Sequence, residues 1–102
     1  RPMRYRLVRQ VFDMSDSKTA GEVRDALKLA ERESAQQALA ILNGLVGLVK
    51  GGQEQPLEIE EARSSAFLAI CELGKALHRG QPAGHLWAAA SDATERWIAL
   101  AR

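Results

Sequence analysis

Apolar residues recur at helical spacing along most of the chain, and the clearest case is the segment 56–79. Its apolar stripe repeats every three, four or seven positions: Ile59, Ala66, Ile70, Leu73 and Leu77. This period places the stripe on one face of an α-helix, as in helices that pack against a core. Pro56 suits the first helical position, and Gly80 suits the left-handed residue that ends many helices. The pattern therefore predicts a helix over 56–79.

A second apolar seam predicts one long helix over 20–50. Its members are separated by three, four or seven residues: Val23, Leu27, Ala30, Ser34, Ile41, Leu45 and Leu48. Thr19 and Glu22 match a capping box, so we expect a turn over 13–19 and a helix start behind it. Between Ala38 and Val49 the apolar residues point in nearly all directions, which is typical of a helix that is buried on several sides.

The two ends of the chain complete the pattern. Pro82 follows a tight break at Gly80, and the apolar residues behind it predict a helix over 83–101: Leu86, Ala90, Ala93, Trp97 and Leu100. The segment 3–12 is ambiguous, because its apolar residues share a helix face but also have good strand propensity. We choose a helix for 3–12, since nothing else in the chain offers a strand partner; as a strand, it would pair with its copy in a second subunit.

The predicted fold class is all-α, an up-and-down antiparallel bundle of three long helices with a short N-terminal element at 3–12. Short loops at 51–55 and 80–82 make sequential helices antiparallel. The 102 residues form one domain, 1–102, whose composition of 46% hydrophobic and 26% charged residues is that of a soluble globular protein. No run reaches the ~18 apolar residues of a membrane helix. The single cysteine, Cys71, fits a reducing compartment, so we expect a cytoplasmic protein without membrane contact.

The charge is distributed unevenly along the chain. Residues 1–12 contain four arginines and no acid, so the net charge of +1 divides into +4 for this arm and −3 for the remainder. Arginine binds phosphate and tyrosine stacks on bases, which makes one group of residues a candidate nucleic-acid contact: Arg4, Tyr5, Arg6 and Arg9. A basic arm that is solvated, or docked on acidic residues, is the simpler interpretation.

Residue types used in catalysis occur, but not in patterns that indicate an active site. His78 and His85 flank the last tight turn without a third ligand at metal-site spacing. Cys71 has Lys75 one turn on, but no base is placed to complete a nucleophilic site. Acidic residues early in the segment 56–79 are explained by the helix dipole. We therefore expect no catalytic residues, no metal site, no cofactor and no enzymatic activity.

Several apolar residues lie off the predicted core seams, and contiguous apolar surface usually marks an interface. These candidate interface residues are Leu39, Val46, Leu68, Trp87 and Ile98. The leading hypothesis is a small, non-enzymatic interaction or regulatory protein that forms a homodimer, or binds another protein, through helix faces. The alternative is a nucleic-acid-binding regulator that uses the arginine arm. A third hypothesis is an apolar ligand held between helices by Leu42, Leu45, Phe67 and Trp97.

Overall fold

The computed structural model describes the backbone of residues 2–50 and 55–102 and the side chains of residues 17–49 and 55–102. This part of the chain forms four α-helices. The helices are α1 (Pro2–Glu31), α2 (Ala35–Lys50), α3 (Leu57–His78) and α4 (Gly84–Ala101), and these residues contain no strand. The all-α prediction is confirmed. The segment 3–12 belongs to α1, so its choice as a helix agrees with the structure.

Each helix packs against two others. α1 contacts α2 and α4, and α3 likewise contacts α2 and α4. Neither diagonal pair, α1 with α3 or α2 with α4, comes into contact among the described residues. The four helices therefore occupy the corners of a square, with the chain running up and down in sequence order.

The core lies along the centre of this square and draws on every helix. Its largest fully buried side chains are Trp97, Leu42, Ile70, Leu73, Val23, Val49 and Thr94. The predicted seam of α3 is confirmed: Ala66, Ile70 and Leu73 are buried, while Ile59 and Leu77 pack against the core at its edges. Thr94 is the polar exception, and its hydroxyl donates a hydrogen bond of 2.8 Å to the Ala90 carbonyl oxygen, which satisfies it within α4.

The prediction of one helix over 20–50 was wrong, because the chain reverses at residues 32–34. The Arg32 and Glu33 amides donate to carbonyl oxygens three residues earlier, at 3.1 and 3.0 Å, which tightens the end of α1. Ser34 then caps α2: its Oγ accepts from the Gln37 amide at 3.3 Å, and its carbonyl oxygen accepts from the Ala38 amide at 2.8 Å. Ser34 is thus an exposed N-cap, not a member of a core seam.

This reversal resets the phase of the apolar pattern in α2. The buried residues of α2 are Ala38, Leu42, Leu45 and Val49. Ile41 is only half-buried, and Leu48 is 44% exposed, although both were placed on the predicted seam. A seam that is extrapolated through a chain reversal selects the wrong face of the next helix.

The predicted turn at 13–19 was also wrong, because these residues continue α1. Thr19 lies inside the helix, so it is not the N-cap of a capping box. Ser, Asp and Thr are poorer helix formers than Ala by well under about 1 kcal/mol each, whereas Gly and Pro are the strong breakers. The stretch 13–19 contains neither Gly nor Pro, so its polar residues do not end the helix.

The ends of α3 lie within one residue of the prediction. Pro56 precedes the helix, and its carbonyl oxygen accepts from the amides of Ile59 and Glu60, both at 3.0 Å. At the other end Gly80 has φ of +68°, the left-handed conformation. The Gln81 amide donates to the Ala76 carbonyl oxygen at 2.9 Å, and the Gly80 amide donates to the Leu77 carbonyl oxygen. These two hydrogen bonds form a Schellman cap.

The face of α4 differs from its predicted seam. The buried residues are Ala90, Thr94, Trp97, Ile98 and Ala101, while Leu86, Ala93 and Leu100 are only half-buried. α4 packs between α1 and α3, so its buried surface is wider than one stripe and turns toward Thr94 and Ile98. A polar threonine gives no signal in an apolar pattern, which is why the sequence placed the seam about one residue off.

Truncation of the α3 seam tests the core directly. We expect Ile70→Ala and Leu73→Ala each to lower the free energy of unfolding by about 2–5 kcal/mol, because both side chains are fully buried. Leu29→Ala, at an exposed leucine of α1, is the matched control and changes stability by less than about 0.5 kcal/mol. Urea denaturation followed by circular dichroism measures all three. Equal effects at core and control positions would contradict the assigned core.

The cap at Ser34 is tested separately. Ser34→Ala removes the oxygen that accepts from the Gln37 amide and lowers stability by about 1 kcal/mol, whereas Ser34→Asp retains an acceptor and costs much less. The same denaturation measurement compares the two variants. A continuous helix through residue 34 predicts the reverse order, since Ala is a better helix former than Asp.

Candidate protein–protein interface

A groove of about 420 Å³ runs between α2 and α3 on the outer side of the bundle. Leu42 of α2 and Ile70 of α3 are buried members of the core that also line this groove. The groove is lined by Leu39, Leu42, Asn43, Val46, Ile70, Cys71, Gly74, Lys75 and His78. Its surface is therefore mainly apolar, with polar and cationic side chains at the rim.

Gly74 keeps part of this groove open. A Cβ atom built on Gly74 would meet no atom within 4 Å, so the glycine is not required by close packing inside the chain. Gly74 lies in the middle of α3, where glycine is intrinsically unfavourable. The room above Gly74 is thus free surface of the groove.

A second depression, of about 220 Å³, lies further along the same two helices. It is lined by Val49, Arg63, Ser64 and Phe67. The Arg63 guanidinium forms an ion pair with the Glu60 carboxylate, and this pair holds the largely buried arginine against the wall. Both the larger groove and this depression face the same side of the bundle.

Leu68 lies on α3 about one helical turn from one lining residue of each depression. Ser64, one turn before it, lines the smaller depression, and Cys71, one turn after it, lines the larger groove. The Leu68 side chain is 62% exposed. We call this surface the α2–α3 face, made up of Leu39, Val46, Ser64, Leu68, Cys71 and Gly74.

The structure brings together two of the five residues that the sequence proposed as an interface. Leu39 and Val46 are half-buried lining residues of the groove, and Leu68 is exposed on α3 outside the lining. Trp87 is half-buried against the core on α4, and among the described residues α4 has no contact with α2. Ile98 is 5% exposed and belongs to the core of the single chain, so it is not available to a partner.

Sequence reasoning missed one exposed leucine on the same helix. Leu57 is 73% exposed at the start of α3. It precedes Leu68 by eleven residues, close to three helical turns, so both lie on nearly the same side of α3. The spacing was visible in the sequence, but Leu57 stood outside the core seam and beside the helix start, where single apolar residues are common.

Of the candidate chemical groups, Cys71, Lys75 and His78 line the same groove, whereas His85 is exposed on α4. No three His, Cys, Asp or Glu side chains are grouped as metal ligands in the part of the chain whose side chains are described. Glu58, Glu61 and Arg96 line a shallow depression between α3 and α4. None of the described helices has both the length and the apolar character needed to cross a bilayer.

Two further groups of candidate residues were proposed, one for an apolar ligand and one for nucleic acid. Of the residues proposed to line an apolar ligand site, Leu42, Leu45 and Trp97 are packed in the core, and Phe67 lines the smaller depression. The candidate nucleic-acid residues Arg4, Tyr5, Arg6 and Arg9 are in the first turns of α1, and their side chains lie outside the described residues.

The fold and this surface define an all-helical bundle of four helices with an apolar outer face on α2 and α3. Comparisons of the chain with protein-family models, with curated proteins and with solved structures give no significant match. The proposal for function therefore rests on the surface itself.

Substitution of Gly74 tests whether the groove is open. Gly74→Ala should raise the free energy of unfolding by about 0.5–1 kcal/mol, because it adds a helix former where the Cβ meets no neighbour. Gly80→Ala is the opposite control: its φ of +68° should make the same change destabilising by about 1–2 kcal/mol. Denaturation midpoints give both values. A destabilised Gly74→Ala would show that the groove is filled in the folded chain.

Proposed function

We propose that this protein is a small, non-enzymatic interaction or regulatory protein that forms a homodimer through the α2–α3 face. The observation that carries the proposal is Leu68, a largely exposed leucine of α3 about one helical turn from Ser64 and Cys71, which line the two depressions. Single exposed leucines are ordinary, but a projecting leucine that adjoins further apolar surface is typical of an interface.

The energetics favour covering this surface. Removing apolar area from water contributes about 25 cal/mol per Å², so each buried leucine is worth roughly 1.5–3 kcal/mol. A stable interface buries about 800 Å² of each partner, so residues other than Leu68 must contribute to it. Leu39, Val46 and Cys71 are the half-buried neighbours that extend the patch across α2 and α3.

A second copy of the chain suits the face because a two-fold dimer uses the same patch twice, so that residues near the axis meet their own copies. The exposed Leu68 can therefore be covered by the Leu68 of a second chain. A dimer that buries this face also needs no substrate, metal or cofactor.

Replacement of the central leucine tests the proposal. We expect wild-type protein to sediment as a dimer at micromolar concentration and Leu68→Glu to sediment as a monomer, because the change places two carboxylates in a water-poor contact. The Leu68→Glu chain should keep its stability as a monomer, since the side chain is outside the core.

Leu29→Glu is the matched control for this experiment. Leu29 is an exposed leucine on α1, which does not contact α3. The control should dimerise like wild type. Wild-type protein that stays monomeric at 100-fold higher concentration would refute the proposal, and so would a dimer that survives Leu68→Glu but is lost in Leu29→Glu.

The second candidate function is nucleic-acid binding through the arginine arm, supported by four arginines and no acid in residues 1–12. Phosphate contacts would give an affinity that falls steeply with salt. Arg4→Gln/Arg6→Gln/Arg9→Gln should then abolish binding at physiological salt in a gel-shift titration, and binding that remains measurable at lower salt should have a salt slope smaller by up to about three. Our proposal expects no specific complex with DNA or RNA at physiological salt, for wild type or variant.

A further inference from the structure

We infer that two copies pair through α3 in an antiparallel arrangement, with the two-fold axis passing beside Leu68. The inference rests on the proposed homodimer and specifies its geometry. It is carried by Glu61 and Lys75, which lie at equal distances from Leu68 on the exposed side of α3 and have opposite charges.

The exposed side of α3 forms a second seam, opposite the core. Its members follow one another in steps of three or four residues: Leu57, Glu61, Ser64, Leu68, Glu72, Lys75 and Arg79. All seven are exposed with respect to the described part of the chain. Leu68 is the central member, with three seam residues on each side.

Charge is distributed asymmetrically along this seam. Its N-terminal half carries Glu61, with Glu58 beside it, and its C-terminal half ends in Lys75 and Arg79. Helix dipoles favour this order, acids first and bases last. Because these side chains are exposed, each half presents its charge to whatever docks on α3.

The relative direction of two α3 helices therefore decides whether the dimer is attractive. In a parallel pair Glu61 faces the partner's Glu61 and Lys75 faces the partner's Lys75, so like charges meet at both ends. In an antiparallel pair centred on Leu68, Glu61 faces the partner's Lys75, because each lies seven residues from the centre. Opposite charges then meet twice, about 10 Å on either side of the axis.

The remaining seam residues are compatible with the antiparallel register. Glu72 forms an ion pair of 3.3 Å with Lys75 in its own chain and comes opposite the partner's Ser64. The two Glu72 carboxylates would be about eight residues apart along the helices, or about 12 Å, which exceeds the screening length of about 8 Å in physiological salt. Ser64 and Cys71 are small, which leaves room for Leu68 to pack on its copy.

The seam of α3 borders depressions on both of its sides. Ser64 and Lys75 line the depressions between α2 and α3, and Glu61 lines the depression between α3 and α4. An antiparallel α3 pair therefore places the partner's helix next to recesses on either side of the seam, where the partner's side chains have room to pack.

Charge reversal tests the antiparallel pairing. Glu61→Lys and Lys75→Glu should each raise the dimer dissociation constant roughly three- to thirtyfold, because each converts two attractive contacts into repulsive ones. The double variant Glu61→Lys/Lys75→Glu restores the opposite charges and should return within about twofold of wild type. Sedimentation equilibrium in low salt measures all four proteins, and circular dichroism confirms that each variant is folded.

Two controls complete the design. Glu95→Lys makes the same charge change at an exposed residue of α4 and should leave dimerisation within about twofold. At 1 M salt the differences among the variants should largely vanish, since screening shortens to about 3 Å.

The outcomes separate the register from the proposed function. Antiparallel α3 pairing is supported if each single variant dimerises more weakly than wild type and the double variant regains the wild-type dissociation constant. A wild-type dimer that is broken by Leu68→Glu, but unaffected by the single charge reversals or not restored in the double variant, overturns the antiparallel register and leaves the proposed function standing. A wild type that is monomeric throughout refutes both.

Discussion

The reversal of the chain at residues 32–34 is the constraint on which the rest of the structure depends. Ser34 caps α2 just after α1 ends, so an apolar stretch that reads as one helix becomes two antiparallel helices. α1 is thereby placed to contact α4 as well as α2, which closes the square around the core. With an unbroken helix over 20–50, α2 could not fold back along α1, and this square would not form.

The square arrangement also explains why an apolar surface stays exposed. A helix in such a bundle covers only the sides that face its two neighbours and the central core. Leu42 of α2 and Ile70 of α3 line the groove, and among the described residues neither α1 nor α4 contributes to its lining. Apolar residues at the outer edges of both helices, Leu39 and Val46 among them, then border solvent. The α2–α3 face is thus a direct consequence of the number and order of the helices.

The sequence predicted those elements best that carry their own boundary residues. α3 begins behind Pro56 and ends at Gly80, whose backbone requirements are local, so its bounds were predicted to within one residue. The break before Ser34 was missed because no Gly or Pro marks it and because serine fell in phase with the apolar seam. Thr94 was missed for a related reason: its hydroxyl is satisfied within its own helix, which permits burial without an apolar side chain.

The exposure of the candidate interface residues depends on tertiary packing, so the helical period alone predicted it for Leu68 but not for Ile98. Leu68 lies opposite a well-defined seam on its own helix, so helical period alone predicted its exposure. Ile98 was misplaced because the seam of α4 turns where α4 fits between two neighbours. The open groove at Gly74 depends on how two helices diverge, and no pattern within one helix reports that.

The most direct test of the account is an isotope-filtered nuclear Overhauser experiment on a mixed dimer, in which one copy carries ¹³C-labelled leucine and the other is unlabelled. A dimer through the α2–α3 face predicts intermolecular cross-peaks from the Leu68 methyl groups to protons of the partner subunit. The exposed Leu29 of α1 should show none. Two results would contradict the central claim that this face is where two copies meet. One is intermolecular cross-peaks from Leu29 in place of Leu68, and the other is no intermolecular cross-peak from Leu68 in a sample shown to be dimeric.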